Sequence, residues 1–583
     1  MSTDPASPAI NGAQALVRAL MAEGVAHAFG IVGGKLAPLL KAINEEPSLT
    51  FTGLRHESSG PMMAAAIHAG SGRVALALGE MGPGSLNLAA GMGGAFNNNL
   101  ALIAITTNQH RAASYPHSGM FMDLDTLAVM KPVTKWNAVV HDPRRIPELV
   151  RRAFREALSG RPGPVHLDVP QDVLLASCEF TAGELDIPPA RYRATQGPRP
   201  SAGAVASACA LLRAARRPLI VVGGGVVASG GATGIAAAAV RELAARLGAP
   251  VVPTQMALGV VGDASQHFIG HGGLIAGPPV WQAFERADVV LSIGCRHSSW
   301  MWDERGPLTR REHRVININI DPSALGAPVL HEVAMQADAG AALADILSGL
   351  GATPVTGVDA DWLPGLRAQR AAYREKLAAM AREPHEVMHP AALAEAVGAA
   401  LPAGALAVFD GGHTTFWSND LTPVDEVRTR FHEPGMSHLG FGLPYAMALQ
   451  LAHPGRPVFN LTGDGSFGFT MNELDSARRH ALPVITVIHN NESWGIIRAG
   501  QRNQGGFELG TALEGSDYAA IARGFGCHGE TVMRADDIAA AIGRALASGK
   551  PAVLDCRTRF VPHPCMPGFG SMNRFGFDAL TRA

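Results

Sequence analysis

The chain has 583 residues, of which 47% are hydrophobic and 17% charged, a balance that supports large apolar cores and excludes a disordered chain. At roughly 100–200 residues per domain, three or four domains are expected. The formal net charge of −2 gives no electrostatic reason to expect nucleic acid or an anionic membrane as a partner.

In chain order, Met1–Gln14 has no basic region followed by an apolar run, so no signal peptide is expected, and no apolar run reaches the ~18 residues of a spanning helix. An amphipathic helix is predicted over Ala13–Glu23, with Leu16, Val17, Leu20 and Met21 on one face. Buried strands are predicted at Arg73–Leu78, Leu102–Thr107 and Pro164–Val169. A polar, Pro-rich stretch, Glu179–Gly203, reads as a linker. A second unit follows, with strands predicted at Pro218–Gly223, Asp288–Gly294 and Arg314–Asp321, and a second linker at Gly351–Trp362. A third unit begins near His389, with strands predicted at Ala405–Asp410, Pro457–Gly463, Pro483–His489 and Pro551–Cys556. Strands alternating with helices predict parallel sheets covered on both faces. The segment before Val169 and the segment before Cys556 resemble each other loosely, as though the first and third units shared a design. The six cysteines (Cys178, Cys209, Cys295, Cys527, Cys556, Cys565) form no CxxC pair, which suits reduced thiols in a cytoplasm.

The most informative segment is Gly463-Asp464-Gly465-Ser466, followed by Asn490-Asn491. Each element follows a predicted strand, at the carboxyl end where open α/β sheets bind ligands. Magnesium prefers oxygen ligands and takes one or two carboxylates plus phosphate oxygens. Asp464 supplies charge, Asn491 an amide oxygen, and the backbone carbonyl of Ser493 a third oxygen. Small Gly465 and Ser466 leave amides free for a phosphate at a helix start.

This GDG–NN pattern resembles the thiamine diphosphate signature of the acetolactate synthase, benzaldehyde lyase and 2-hydroxyacyl-CoA lyase superfamily, and the resemblance runs over nearly the whole chain. It implies three consecutive doubly wound α/β domains: a pyrimidine-binding domain over 1–185, a middle Rossmann-like domain over 200–352, and a diphosphate- and magnesium-binding domain over 370–560. A tail over 561–583 is a candidate lid, rich in Gly and Pro around Met566, Phe569 and Met572. Glu57, in Arg55-His56-Glu57, matches the family glutamate that bonds the aminopyrimidine and promotes the ring's own proton transfer. Gly82 and Asn87 match the first-domain turn, His413 and Thr414 the diphosphate-facing strand end, and His438 and Leu439 the segment that holds the cofactor bent. Gly463, Gly465, Ser466, Asn491, Trp494 and Gly495 complete the expected cofactor contacts, with Asp464, Asn491 and Ser493 on the metal. Glu492 is a candidate proton shuttle, or a solvated neighbour of the metal.

The resemblance also implies a homodimer or homotetramer with Glu57 and Asp464 of one site on different chains. Gly223-Gly224-Gly225, Thr254-Gln255-Met256 and Asp321 resemble positions where relatives bind FAD or ADP, a cofactor left open here. Three segments depart from acetolactate synthase: Met122 stands at that family's active-site glutamine, Arg296–Trp300 replaces its Arg-Phe-Asp-Asp-Arg segment, and Gly495–Gln501 differs after the NN pair. The leading expectation is therefore a reversible 2-hydroxyacyl-CoA lyase, acting on a small acyl-CoA substrate. The alternatives are an acetolactate synthase-like or benzaldehyde lyase-like enzyme of 2-keto acids or acyloins, and a non-catalytic homologue.

Overall fold

Three parallel β-sheets organise the chain. In the computed structural model the described residues are 9–565, without 115, 117, 118, 182, 231–233, 275, 304, 305, 327 and 385. The candidate lid residues Met566, Phe569 and Met572 lie outside them.

The first sheet is built from β1 (His27–Gly30), β2 (Thr50–Gly53), β3 (Leu76–Gly79), β4 (Ile103–Asn108), β5 (Trp136–Val139) and β6 (Val165–Pro170), in the order β2-β1-β3-β4-β6-β5. Its central strands β3, β4 and β6 are buried at every residue, as expected for a parallel sheet with both faces covered. The predicted amphipathic helix forms as Gly12–Ala22. Asn11 caps it, accepting from the Gln14 N–H while the Gln14 side chain returns to the Asn11 N–H, which satisfies two orphan groups of the first turn.

The second sheet contains β7 (Pro218–Val222), β8 (Val251–Pro253), β9 (Val289–Ile293), β10 (Arg314–Asn319) and β11 (Val333–Gln336), in the order β8-β7-β9-β10-β11. Alternate residues of its strands enter different cores. Ile220, Val222, Leu291 and Ile293 face one apolar cluster, and Leu219, Val221 and Val290 the other. Such alternation is the mark of a doubly wound layer, and each fully buried Val, Leu or Ile contributes about 1.5–3 kcal/mol.

The third sheet contains β12 (Leu406–Phe409), β13 (Arg430–His432), β14 (Val458–Gly463), β15 (Ile485–Asn490), β16 (His528–Val532) and β17 (Ala552–Arg557), in the order β13-β12-β14-β15-β17-β16. This is the permutation of the first sheet, strand for strand. The loosely similar segments ending at Val169 and Cys556 fall on β6 and β17, which occupy equivalent positions, so the resemblance seen in the sequence has a topological basis.

The chain forms two compact units. One comprises the chain up to Gln196 together with Gly435–Pro454 and Thr470–Leu482, and the other the remainder. In the first, helix Ser59–Ser71 packs on helix Gly442–Ala452, with Gly70 against Leu449. The second holds the second and third sheets. All six cysteines are free. Among the described residues no helix is long and apolar enough to cross a membrane.

Candidate active site

The GDG and NN elements meet because β14 pairs with β12 on one side and β15 on the other. The carboxyl ends of three adjacent parallel strands therefore lie side by side, each running into a helix: His413–Leu421 after β12, Asp464–Thr470 after β14 and Gly495–Gly505 after β15. The backbone N–H of Ser493 donates to Asp464 Oδ2 at 3.0 Å and to Asn491 Oδ1 at 3.1 Å, and its hydroxyl donates to Asn491 Oδ1 at 2.9 Å. A Cβ placed on Gly495 would lie 3.4 Å from both Asn491 Nδ2 and His413 Nδ1, one on Gly463 3.3 Å from Thr414 Oγ1, and one on Gly411 3.0 Å from Ser466 Oγ. His413, Thr414, Gly463, Asp464, Ser466, Asn491, Ser493 and Gly495 thus share one locus. Gly465 belongs to it through Trp494, whose ring would come within 2.5 Å of a Cβ there; only glycine admits this approach.

The chemistry of this locus asks for a cation and a polar anion. Asp464 is 3% exposed, and burial pushes its carboxyl up to about 7 against the backbone N–H groups of Gly465 and Ser493, which favour the anion. A buried carboxylate that faces only N–H donors and amide oxygen is stabilised by a hard, oxygen-seeking ion. Among the described residues no group of three or more His, Cys, Asp or Glu is placed to hold a metal ion, so no nitrogen- or sulfur-rich site competes there. Both ring nitrogens of His413 are buried without a hydrogen-bond partner, and burial holds the imidazole down at about 4. Unpartnered buried nitrogens at a helix start beside Thr414 and Ser466 fit a polar ligand such as diphosphate. The residues therefore suit magnesium and the diphosphate of the expected cofactor.

A separate cluster forms in the other unit. Glu57 lies between β2 and helix Ser59–Ser71, and Asn87 Nδ2 donates to its Oε2 at 2.9 Å. Asn87 is on helix Pro83–Asn98, which starts immediately after Gly82; a Cβ on Gly84 would stand 3.3 Å from Glu57 Oε1. Met122, in the left-handed region at φ 60, packs on Gly82. His438 is hydrogen-bonded to the Ala90 backbone on the same helix, and burial lowers its imidazole. Leu439 beside it is half-buried.

The chain matches three family models: Thiamine pyrophosphate enzyme, N-terminal TPP binding domain over 10–129, central domain over 205–346, and C-terminal TPP binding domain over 410–556. It belongs to the thiamine pyrophosphate enzymes. Similar relatives include acetolactate synthase of Mycobacterium bovis, 28% identical over 94% of this chain and 88% of the relative. The large subunits of Escherichia coli acetolactate synthase isozymes 1 and 2 are 28% and 29% identical, each over 94% of this chain and over 93% and 95% of their own lengths. In this thiamine pyrophosphate enzyme Glu57, Gly82, Asn87 and Met122 fall within the N-terminal match, and His438, Leu439 and the Asp464 cluster within the C-terminal match.

Two candidate segments make contacts within the chain itself. Glu492, a candidate shuttle, is tied through one carboxylate oxygen to Arg557, whose Nη1 donates to Oε1 at 2.9 Å. The Gly223–Gly225 run is occupied by the enzyme's own chain. A Cβ on Gly223 would meet Gly294 O at 2.3 Å, one on Gly225 Gly294 Cα at 2.7 Å, and one on Gly224 Met256 at 3.1 Å. Asp321 Oδ1 accepts from the Ser323 N–H and hydroxyl. These contacts account for the three glycines and for Asp321, while the buried Gln255 amide keeps Oε1 and Nε2 without a hydrogen-bond partner.

Some supporting residues carry no sequence signal. Glu473, fully buried, accepts from the N–H groups of Arg55 and His56 at 3.2 and 3.1 Å and so fixes the loop that ends in Glu57. His489 ends buried with both ring nitrogens unpartnered one residue before Asn490.

Proposed function

We propose that this enzyme uses thiamine diphosphate and magnesium to form carbon–carbon bonds from 2-keto acids, as an acetolactate synthase-type carboligase working as a homodimer or homotetramer. The observation that carries the reading is the Asp464–Asn491–Ser493 oxygen set at two adjacent strand ends, in a chain related over 94% of its length to proteins named acetolactate synthase. Thiamine diphosphate, when bound, supplies the carbon nucleophile and the electron sink. The chain's own residues bind and orient. Asp464 and Asn491, with the Ser493 carbonyl, would hold the cation, and His413, Thr414 and Ser466 would meet the diphosphate. Glu57, with Oε2 held by Asn87, would offer Oε1 to the aminopyrimidine as a proton-holding group. Half-buried Leu439 would line the cofactor site.

A 2-hydroxyacyl-CoA lyase is the second reading, and Met122 favours it. A thioether in place of an amide removes the hydrogen bonds that an acetolactate synthase-type acceptor site offers. The deciding experiment supplies pyruvate, 2-ketobutyrate and a panel of 2-hydroxyacyl-CoAs to the holoenzyme and identifies products by mass spectrometry. Release of carbon dioxide with an acetohydroxy acid supports the proposal. Untouched keto acids with cleavage to formyl-CoA and an aldehyde or ketone would replace it with the lyase.

A further inference from the structure

The turn that carries the proposed metal ligands is held in an unfavourable conformation. Glu492 lies between Asn491 and Ser493 and has φ 55, in the left-handed region that non-glycine residues enter at a cost. Three tethers hold it. Its N–H donates to Asn490 Oδ1 at 3.2 Å, its carbonyl accepts from the Leu513 N–H at 2.8 Å, and its carboxylate accepts from Arg557 Nη1 at 2.9 Å. Arg557 is itself fixed. It ends β17, donates from Nη2 to the Ser516 carbonyl at 3.0 Å and lies 3.1 Å from the fully buried Asp555 carboxylate. Asp555 accepts from Asn490 Nδ2 at 2.8 Å and from the Tyr518 N–H at 3.3 Å. The Tyr518 hydroxyl donates to the Asp464 carbonyl at 3.2 Å. The contacts therefore run from one metal-site turn, through the end of β17, back to the other.

We infer that Glu492 and Arg557 are positioning residues for the metal site: their ion pair offsets the left-handed strain at residue 492, so that the Asn491 side chain and the Ser493 carbonyl are preset for the cation. The inference rests on the metal reading of Asp464, Asn491 and Ser493. A guanidinium is charged at every accessible pH and presents paired N–H donors in a fixed fork, which suits an anchor bridging Glu492 and Asp555. A part-exposed ion pair contributes modestly to stability, but here it has only one residue's backbone to hold. Partners of metal ligands typically change metal affinity by about 10- to 100-fold when removed.

The test measures magnesium affinity of the full-length protein at saturating thiamine diphosphate, by titration calorimetry, together with the melting temperature of the cofactor-free protein. Glu492→Ala and Arg557→Ala should each weaken magnesium by about 10- to 100-fold, and the double variant should bind no worse than either single one, because both remove the same tether. Glu492→Gly should bind about 5- to 30-fold more tightly than Glu492→Ala, since glycine carries no left-handed penalty. If Arg557→Ala fails to fold, Arg557→Lys keeps the charge beside Asp555, and it should show a weaker loss in the same direction. Equal, parent-like magnesium affinity in Glu492→Ala and Glu492→Gly, with turnover lost in both, would overturn the inference and restore Glu492 as a proton-transfer group. Asp464→Ala is the control on the underlying reading: if it binds magnesium and cofactor like the parent, the metal site itself is misassigned.

Discussion

A carboxylate buried as deeply as Asp464 persists only where something repeatedly rewards its charge, and backbone N–H groups alone leave its carboxyl raised to about 7. Asp464→Ala should therefore abolish magnesium-dependent binding of thiamine diphosphate while the fold remains, as read by calorimetry and far-ultraviolet circular dichroism. Glu57→Gln should bind the cofactor and lose about 10²–10⁴-fold in turnover, the range for a positioned proton transfer. Deuterium exchange at thiazolium C2, followed by NMR, should slow with it. A third residue tests the electrostatics of the first sheet. His166 is fully buried, and burial lowers its imidazole to about 3. Thr106 gives its proton to Asp168 at 2.6 Å, so the 2.7 Å contact from His166 Nε2 to Thr106 is a donation by the ring, and Nδ1 is left bare and neutral. The folded pKa lies below the unfolded value near 6.5, so the stabilisation is full above pH 6.5 and is lost as pH falls toward 3. Relative to His166→Gln, the parent should lose about 1.4 kcal/mol per pH unit below pH 6.5, measured from urea denaturation at pH 7, 6 and 5. Asp464 and Asn491 are legible in the sequence because each sits in a short motif after an apolar strand. Glu473 and Arg557 are not, because their partners Arg55 and Glu492 are 418 and 65 positions away and no local pattern marks the pair.

At the scale of elements, the strands read from the sequence are those at the centres of the sheets. Leu102–Thr107 forms as Ile103–Asn108, Pro218–Gly223 as Pro218–Val222 and Pro457–Gly463 as Val458–Gly463. The strands not anticipated are mostly edges: Trp136–Val139, Val251–Pro253, Val333–Gln336, Arg430–His432 and His528–Val532. An edge strand has one hydrogen-bonding side and less cover, so it lacks the continuous apolar run that marks a buried parallel strand. Trp136–Val139 is half-buried throughout, and His528–Val532 is buried only at its last residue. The 21-residue helix Trp362–Arg382, which starts where the predicted linker ends, is not anticipated. It buries only Trp362, Leu366 and Leu377, too few for a helical stripe. The glycine run after β7 was legible as a motif but its use was not, since the surface it meets comes from the end of β9. Gly225→Ala would bring a Cβ to 2.7 Å from Gly294 Cα, a backbone atom that cannot step aside. It should destabilise the middle sheet by about 1–3 kcal/mol. Gly543→Ala, on the exposed face of helix Ile538–Ser548 with open space around it, should instead be neutral or stabilising by up to about 1 kcal/mol. Urea denaturation of the two variants separates packing from propensity.

For the whole molecule, each cluster carries exposed apolar side chains that a solitary chain leaves in water. Leu86, next to Asn87, is 50% exposed and Phe121 78%; in the other unit Phe469, whose ring edges Trp494, is 57% exposed and Leu509 77%. Large apolar groups exposed beside polar sites are characteristic of surfaces that meet a partner, and the second copy of the proposed two-fold dimer would cover both kinds of surface. In the proposed dimer each active site takes Glu57 from one chain and Asp464 from the other. This arrangement makes a quantitative prediction for mixed assemblies. Glu57→Gln and Asp464→Ala homodimers should both be inactive, one for want of the activating acid and the other for want of the metal. In a heterodimer of the two, one site receives both substitutions and the other receives neither. Random mixing of equal amounts makes half of the dimers mixed, each with one intact site, so about a quarter of the parent activity should return. Co-expression of the two variants under different affinity tags, followed by tandem purification, isolates the mixed dimer and should raise this to about half. If sites were instead complete within one chain, every site in every assembly would carry one lesion, and neither mixing nor tandem purification would restore turnover.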